Sequence, residues 1–239
     1  MLEALEITHA FQRGQQALFS NISFQLNPGE VKILWGLNGS GKSTLLDILS
    51  AWTQPSRGLV LLNSKPLALF SPDMRAAKLG YLAQFQEIYF DLPIQTFLKS
   101  LNLNVNKAVY IFLTQALGLE VLIQKNLNLS HLSGGELAKL SFFRVLLQLS
   151  TDITLTEQAP YFNKYLLLDE PFSHLDWPYQ QQLKAFLKKM QSLGLGILLT
   201  LHDIHQLFDF DNELLALTNS GLKVFKSEAD FKSYIFNVT

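Results

Sequence analysis

The chain contains no cysteine, which excludes a disulfide framework, a thiolate metal site and a cysteine nucleophile. It is also poor in charge: Asp, Glu, Lys and Arg supply 16 % of its 239 residues, against about 25 % in an ordinary soluble domain. Neither sign dominates. With 19 basic and 20 acidic residues the formal charge is −1, so there is no basic surplus to hold a phosphodiester backbone, and no nucleic-acid partner is expected. No uncharged apolar run reaches the roughly 18 residues that a membrane span requires. The opening Met-Leu-Glu-Ala-Leu-Glu lacks the basic start and long apolar core of a signal peptide. Hydrophobic residues nevertheless reach 48 %, so part of the apolar surface is expected to face a partner.

What the chain does have is Gly36-Leu37-Asn38-Gly39-Ser40-Gly41-Lys42-Ser43, a full match to the phosphate-loop pattern G-x-x-x-x-G-K-[ST]. An apolar run, residues 31–35, precedes it, and an apolar-rich segment, residues 43–50, follows, so the loop joins a strand to a helix. The glycines let the backbone curl until its N–H groups converge on phosphate oxygens, and the helix N-terminus adds its positive dipole end. Lys42 is then placed to reach the β- and γ-phosphates, and the Ser43 hydroxyl to ligate Mg²⁺.

The rest reads as an α/β core with one insertion. Residues 2–8, 18–26, 58–62 and 79–83 have strand character, with a turn at 27–29 and a helix from the phosphate loop through Trp52. From residue 85 the spacing becomes helical, at 94–101, 107–125 and onward from Ser133, and no strand-like run returns until Tyr165. Residues 85–159 therefore read as a helical subdomain and link, inserted between core segments 1–84 and 160–239 of a single domain. Residues 165–169 and 196–201 carry the apolar runs of strands buried on both faces. Between them, Pro178 opens a helix that Gly194 closes. A hairpin, 214–225, turns at 219–221.

Several polar groups stand at the ends of these elements. Leu132-Ser133-Gly134-Gly135-Glu136 opens a helix, which fits either a plain N-cap with a loose Gly-Gly turn or a second anion site for a γ-phosphate. Asp169 and Glu170 follow a buried strand, on the edge where open α/β sheets bind ligands. Asp169 suits Mg²⁺ and Glu170 suits an attacking water, although the pair fits a helix cap equally well. Residues 173–176, Ser-His-Leu-Asp, form an N-cap region. His202 ends a strand on that edge and Gln84 ends its own strand; taken singly each fits an ordinary structural residue, while their places also suit a γ-phosphate contact for His202 and a bridge between Mg²⁺ and water for Gln84.

In order, GLNGSGKST (36–44), YLAQ (81–84), LSGGE (132–136), YLLLDEP (165–171), SHLD (173–176) and LHD (201–203) resemble the phosphate loop, Q-loop, signature, Walker B, D-loop and H-loop of the ABC ATPase family. LSGGE is the specific one, because other phosphate-loop families lack it. The resemblance spans residues 2–225 and implies a phosphate-loop NTPase core with an antiparallel β subdomain and an inserted helical subdomain. It also implies ATP hydrolysis, with ATP and Mg²⁺ as cofactors. ATP would lie between Gly36 to Thr44 of one copy and Ser133, Gly134, Gly135 and Glu136 of a second, in a head-to-tail homodimer. Lys42, Gln84, Glu170 and His202 would serve catalysis, and Ser43, Gln84 and Asp169 would hold the metal. Phe11 stands where the family places an aromatic that stacks on adenine. Ala138-Lys139 replaces the usual Gln-Arg after the signature, which keeps the charge and loses the guanidinium fork.

A single nucleotide domain without sustained heptads is similar to a transport subunit whose pore is a separate chain. Residues 81–98 look like those of metal-ion and metal-chelate importers of the zinc, haem, siderophore and cobalamin kind. The resemblance thus implies a polytopic membrane permease, reached by a groove after Gln84, a substrate-binding protein acting through that permease, and a peripheral place at the cytoplasmic face of the inner membrane. The opening also resembles the haem-exporter ATPase of cytochrome c maturation. An ABC ATPase acting on nucleic acid or ribosomes is a further alternative.

Overall fold

A computed structural model describes residues 1–10, 16–84, 91–154, 159–173, 175–201, 213–218 and 221–236. Two sheets and two helical layers are built from strands β1 (Leu2–His9), β2 (Phe19–Leu26), β3 (Val31–Trp35), β4 (Arg57–Leu62), β5 (Lys65–Pro66), β6 (Leu79–Leu82), β7 (Tyr165–Leu168), β8 (Gly196–Leu201), β9 (Glu213–Thr218) and β10 (Gly221–Phe225). The helices are α1 (Lys42–Leu49), α2 (Pro72–Ala76), α3 (Ile94–Ser100), α4 (Lys107–Ala116), α5 (Glu120–Lys125), α6 (Gly134–Leu149), α7 (Trp177–Ser192) and α8 (Glu228–Phe236).

The smaller sheet runs β2-β1-β4-β5, and its pairs are antiparallel. The larger runs β10-β9-β3-β8-β7-β6, parallel from β9 to β6, with β10 antiparallel at one edge. Period-2 alternation decides what each face of the large sheet meets. Val31, Ile33, Leu166, Leu168, Ile197 and Leu199 look into a core shared with α4, α6, α7 and α8. Leu34, Tyr165, Leu167 and Leu198 look the other way, toward α1 and the small sheet. Both faces are covered, which is why these strands carry apolar runs instead of alternation. Lys32 breaks the pattern in β3, and its buried ammonium pairs with Glu30 at 2.9 Å and with Glu213 of β9.

The inserted segment, from α3 to α6, lies against the edge strand β6. Gly80 makes that contact possible: a Cβ there would meet Val145 Cγ1 at 2.6 Å and Leu149 Cδ1 at 2.9 Å, both on α6. Gly80→Val is therefore expected to push α6 off the sheet and cost about 1–3 kcal/mol. Thermal unfolding should show a Tm lower by several degrees, and an unchanged Tm would mean that α6 is not seated there.

Some boundaries differ from the sequence expectation. The helix expected over 107–125 is two helices, because Gly118 at φ +62° turns the chain and buries Leu117 and Leu119 on either side of it. The helix after the phosphate loop stops at Leu49 and not at Trp52: Ala51 takes φ +60°, and Trp52 is left 81 % exposed. Neither α2 nor α8 was expected. Ser71 caps α2, and Ser227 caps α8 by accepting the Asp230 N–H at 3.1 Å. The centre of the hairpin turn, 219–220, lies outside the described residues. The link after α6 is pinned at both ends, by Ser150 Oγ to Tyr161 OH at 2.8 Å and by Lys164 Nζ to Asp152 at 2.5 Å. Burial pushes the Tyr161 phenol up to about 12, against the opposing hydrogen bond from Ser150.

Candidate functional site

The C-terminal ends of β3, β6, β7 and β8 share one edge of the large sheet, and the loop from Gly36 to Gly41 leaves β3 there. Gly39 and Gly41 stand at φ +80° and +95°, a region closed to most side chains. A Cβ on Gly41 would also meet Leu18 and Phe19 at 2.8 Å. Gly41 is the N-cap of α1, so no side chain caps that helix and its first N–H groups suit an anion. The Ser40 hydroxyl, buried in the same loop, has no hydrogen-bond partner among the described residues. An uncapped helix start and an orphaned hydroxyl beside a lysine are what a bound phosphate would satisfy. Lys42 crosses the loop, donating from Nζ to the Gly36 carbonyl at 2.8 Å and the Leu37 carbonyl at 3.3 Å. Burial lowers its pKa, while Glu170 and Asp169 nearby push it back up.

At the end of β7, Asp169 is 4 % exposed. One carboxylate oxygen, Oδ1, accepts the Thr200 hydroxyl at 2.7 Å. Glu170 follows at φ +48°, a left-handed conformation that costs a non-glycine residue about 1–3 kcal/mol. Its N–H donates to Thr200 Oγ1 at 2.8 Å, and its carbonyl accepts the Ser173 N–H at 3.1 Å. Gln84, just past β6, donates from Nε2 to Glu170 Oε2 at 2.9 Å. That contact assigns the amide: its carbonyl oxygen is the atom left for a hard cation. Ser43 hydroxyl, Asp169 carboxylate and Gln84 carbonyl make an all-oxygen donor set, which fits Mg²⁺. The structure thus brings Lys42, Gln84, Asp169 and Glu170 together. Phe11 and His202 lie outside the described residues.

The signature turn is a separate construction. Ser133 caps α6 in a full capping box: Ser133 Oγ accepts the Glu136 N–H at 3.3 Å, and Glu136 Oε2 accepts the Ser133 N–H at 2.9 Å. The Ser133 backbone N–H and hydroxyl hold the Glu136 carboxyl below its ordinary range. No hydrogen bond or ion pair among the described residues joins this turn to residues 36–44. Ser133 and Gly134 are exposed, and a Cβ on Gly134 would meet nothing within 4 Å. Within one chain the plain N-cap reading is therefore realised, and the turn presents an open helix start to whatever approaches. Lys139, one turn further on, lies over the Tyr179 ring of α7 at 3.9 Å. It thus keeps its cation close to the helix that Asp176 caps.

Thr200 was missed in the sequence. The signal was present: one hydroxyl in the otherwise apolar run of β8, which needs partners wherever it is buried. Beside this edge an open cleft of about 1130 Å³ separates α1 and α2 from α3 and α6. It starts at Ala83, next to Gln84, and includes Trp52, Leu92 and Phe97. Of the groove expected after Gln84, residues 85–90 lie outside the described residues. No described helix is long and apolar enough to cross a membrane.

The family profile described as ABC transporter matches residues 19–173. The hemin import ATP-binding protein HmuV of Hahella chejuensis is 34 % identical over 224 residues, covering 89 % of this chain and 83 % of that protein. HmuV of Bordetella pertussis is 33 % identical over 238 residues, covering 96 % and 87 %. Among solved structures, an ATP-binding subunit of an ABC transporter superposes with a TM-score of 0.81 at 21 % identity, covering 98 % of this chain and 93 % of that one. A dimeric bacterial ABC transporter cassette gives 0.76 at 20 % identity, covering 95 % and 98 %.

Proposed function

The chain belongs to the ABC transporter family, and on that premise we propose that it is the ATP-hydrolysing subunit that powers import of a metal chelate of the hemin class. The observation that carries the chemistry is the meeting of Lys42, Gln84, Asp169 and Glu170 on one sheet edge, with Glu170 held by Gln84 at 2.9 Å. Residues 36–44 receive the phosphates, with the α1 N-terminus, the Ser40 hydroxyl and Lys42 supplying donors. Phe11 is assigned to adenine by family likeness. Ser43, Asp169 and Gln84 hold Mg²⁺, which when bound neutralises charge on the phosphate oxygens. Glu170 orients and polarises water, and His202 contacts the γ-phosphate side. Glu170 acts on the water and not on the ground-state nucleotide, so it does not set the affinity for ATP.

The hemin-import names of relatives above 30 % identity favour chelate import over the cytochrome-maturation export reading. The working form is a homodimer, in which Ser133 to Glu136 of each copy complete the ATP site of the other. It sits peripherally at the cytoplasmic face of the membrane, bound to a polytopic permease, with a substrate-binding protein on the far side.

The cleft beside Gln84 is the assigned seat of the permease. Trp52, at its rim, is 81 % exposed, a large apolar side chain left to water by the isolated subunit. Trp52→Glu should leave folding and nucleotide binding intact and prevent co-purification with the permease encoded for this chain. The wild-type complex, reconstituted in nanodiscs, should show hemin-stimulated ATP hydrolysis. Retained partner binding by Trp52→Glu would misplace the cleft. Failure of the wild type to bring down any polytopic membrane protein would end the transporter reading.

A further inference from the structure

A threonine hydroxyl has one proton to donate and two lone pairs to accept with. Thr200 is fully buried in β8, between the phosphate-loop strand and the strand that ends in the acidic pair. Its proton goes to Asp169 Oδ1 at 2.7 Å, and a lone pair takes the Glu170 N–H at 2.8 Å. One buried oxygen therefore fixes the side chain of one acidic residue and the backbone of the next. The position does not call for a hydroxyl on packing grounds, since Ile197, Leu198, Leu199 and Leu201 around it are apolar and valine would fill the same space.

We propose that Thr200 is the positioning residue of this site, setting the direction of the Asp169 carboxylate and the left-handed turn that aims Glu170. Carboxylate torsions are broad and roughly two-fold. An Asp169 without this donor would sample both faces, and its second oxygen would no longer point in one direction. Glu170 stands at φ +48°, so its backbone holds that conformation only while surrounding bonds demand it, and the bond from its N–H to Thr200 Oγ1 at 2.8 Å is one of them. Thr200 acts through its two neighbours.

The inference rests on Asp169 as the metal-holding residue, so Asp169→Asn is the reference. Thr200→Val and Thr200→Ser are compared with the wild-type full chain by three measurements: Mn²⁺ retention with ATP, followed by the electron paramagnetic resonance of free Mn²⁺; ATP binding in EDTA; and steady-state hydrolysis in the permease complex. Losing a partner that orients a metal ligand lowers metal affinity about 10–100-fold. Thr200→Val should weaken Mn²⁺ retention by roughly that factor and lower kcat at least comparably, with metal-free ATP binding and KM nearly unchanged. Thr200→Ser should restore both. If Thr200→Val does not fold, Thr200→Cys, with its weak donor, takes its place against Thr200→Ser. Wild-type Mn²⁺ retention in Thr200→Val, with retention lost in Asp169→Asn, overturns the inference. So does a serine variant as impaired as the valine one, since the hydroxyl would then not be what matters. Undiminished retention in Asp169→Asn removes the metal-holding assignment itself and the inference with it.

Discussion

Glu170→Gln should bind ATP as tightly as the wild type and hydrolyse it about 10²–10⁴ times more slowly, the usual contribution of a positioned general base. The substitution keeps the shape of the side chain and an oxygen for Gln84 Nε2 to donate to, so the hydrogen bond at 2.9 Å need not be lost. What disappears is the negative charge that polarises water. Lys42→Ala should behave differently. The Lys42 ammonium lies across the phosphate loop within reach of the Gly36 and Leu37 carbonyls, and it interacts electrostatically with Glu170 and Asp169. A charged hydrogen bond contributes about 1.5–3 kcal/mol, so its loss should weaken ATP binding roughly ten- to hundredfold and lower turnover as well. Equilibrium binding of a fluorescent ATP analogue, with single-turnover hydrolysis in the permease complex, separates the two cases. A Glu170→Gln chain that hydrolyses at the normal rate would take Glu170 out of the reaction.

How much of this was legible in the sequence depends on the range of the signal. The phosphate loop, the Walker B strand and the capped signature helix are local: a glycine pattern, a buried apolar run and a Ser-x-x-Glu cap each fix their own geometry. Helix breaks were less legible. Gly118 reads as a tolerated glycine within a helical pattern, and only the burial of Leu117 and Leu119 on both sides of it makes a bend the better solution. The short α2 hides behind its Pro72 start, and α8 hides in a tail marked only by its Ser227-Glu228-Ala229-Asp230 cap, although Phe231 stacks edge-on against Trp35 at 5.5 Å. Thr200 was illegible for another reason. Its role comes from a lateral contact between β8 and β7, which are far apart in the chain, and no spacing rule within one strand records which neighbour a hydroxyl will meet.

The same distinction, between what one chain closes by itself and what it leaves open, sets the outcome for the signature turn. Ser133 and Glu136 satisfy each other in the capping box, and Gly134 faces open space, so a single copy needs nothing further at this helix start. A second copy presenting ATP phosphates would find the positive end of a 16-residue helix and a small hydroxyl able to turn from Glu136 to an anion. Ser133→Arg fills that approach with a long side chain and removes the capping oxygen, a loss of about 0.5–2 kcal/mol to the helix that the fold can absorb. The variant should therefore bind ATP as a monomer nearly as well as the wild type, because residues 36–44 are untouched, while ATP-induced dimerisation in the Glu170→Gln background falls below detection. Ser133→Ala, which costs the cap without blocking the approach, should dimerise more weakly but measurably, and so separates helix fraying from obstruction. Light scattering with and without ATP reads both. Dimerisation of Ser133→Arg at wild-type ATP concentrations would place the signature turn outside the shared site and return Ser133 to a purely structural cap.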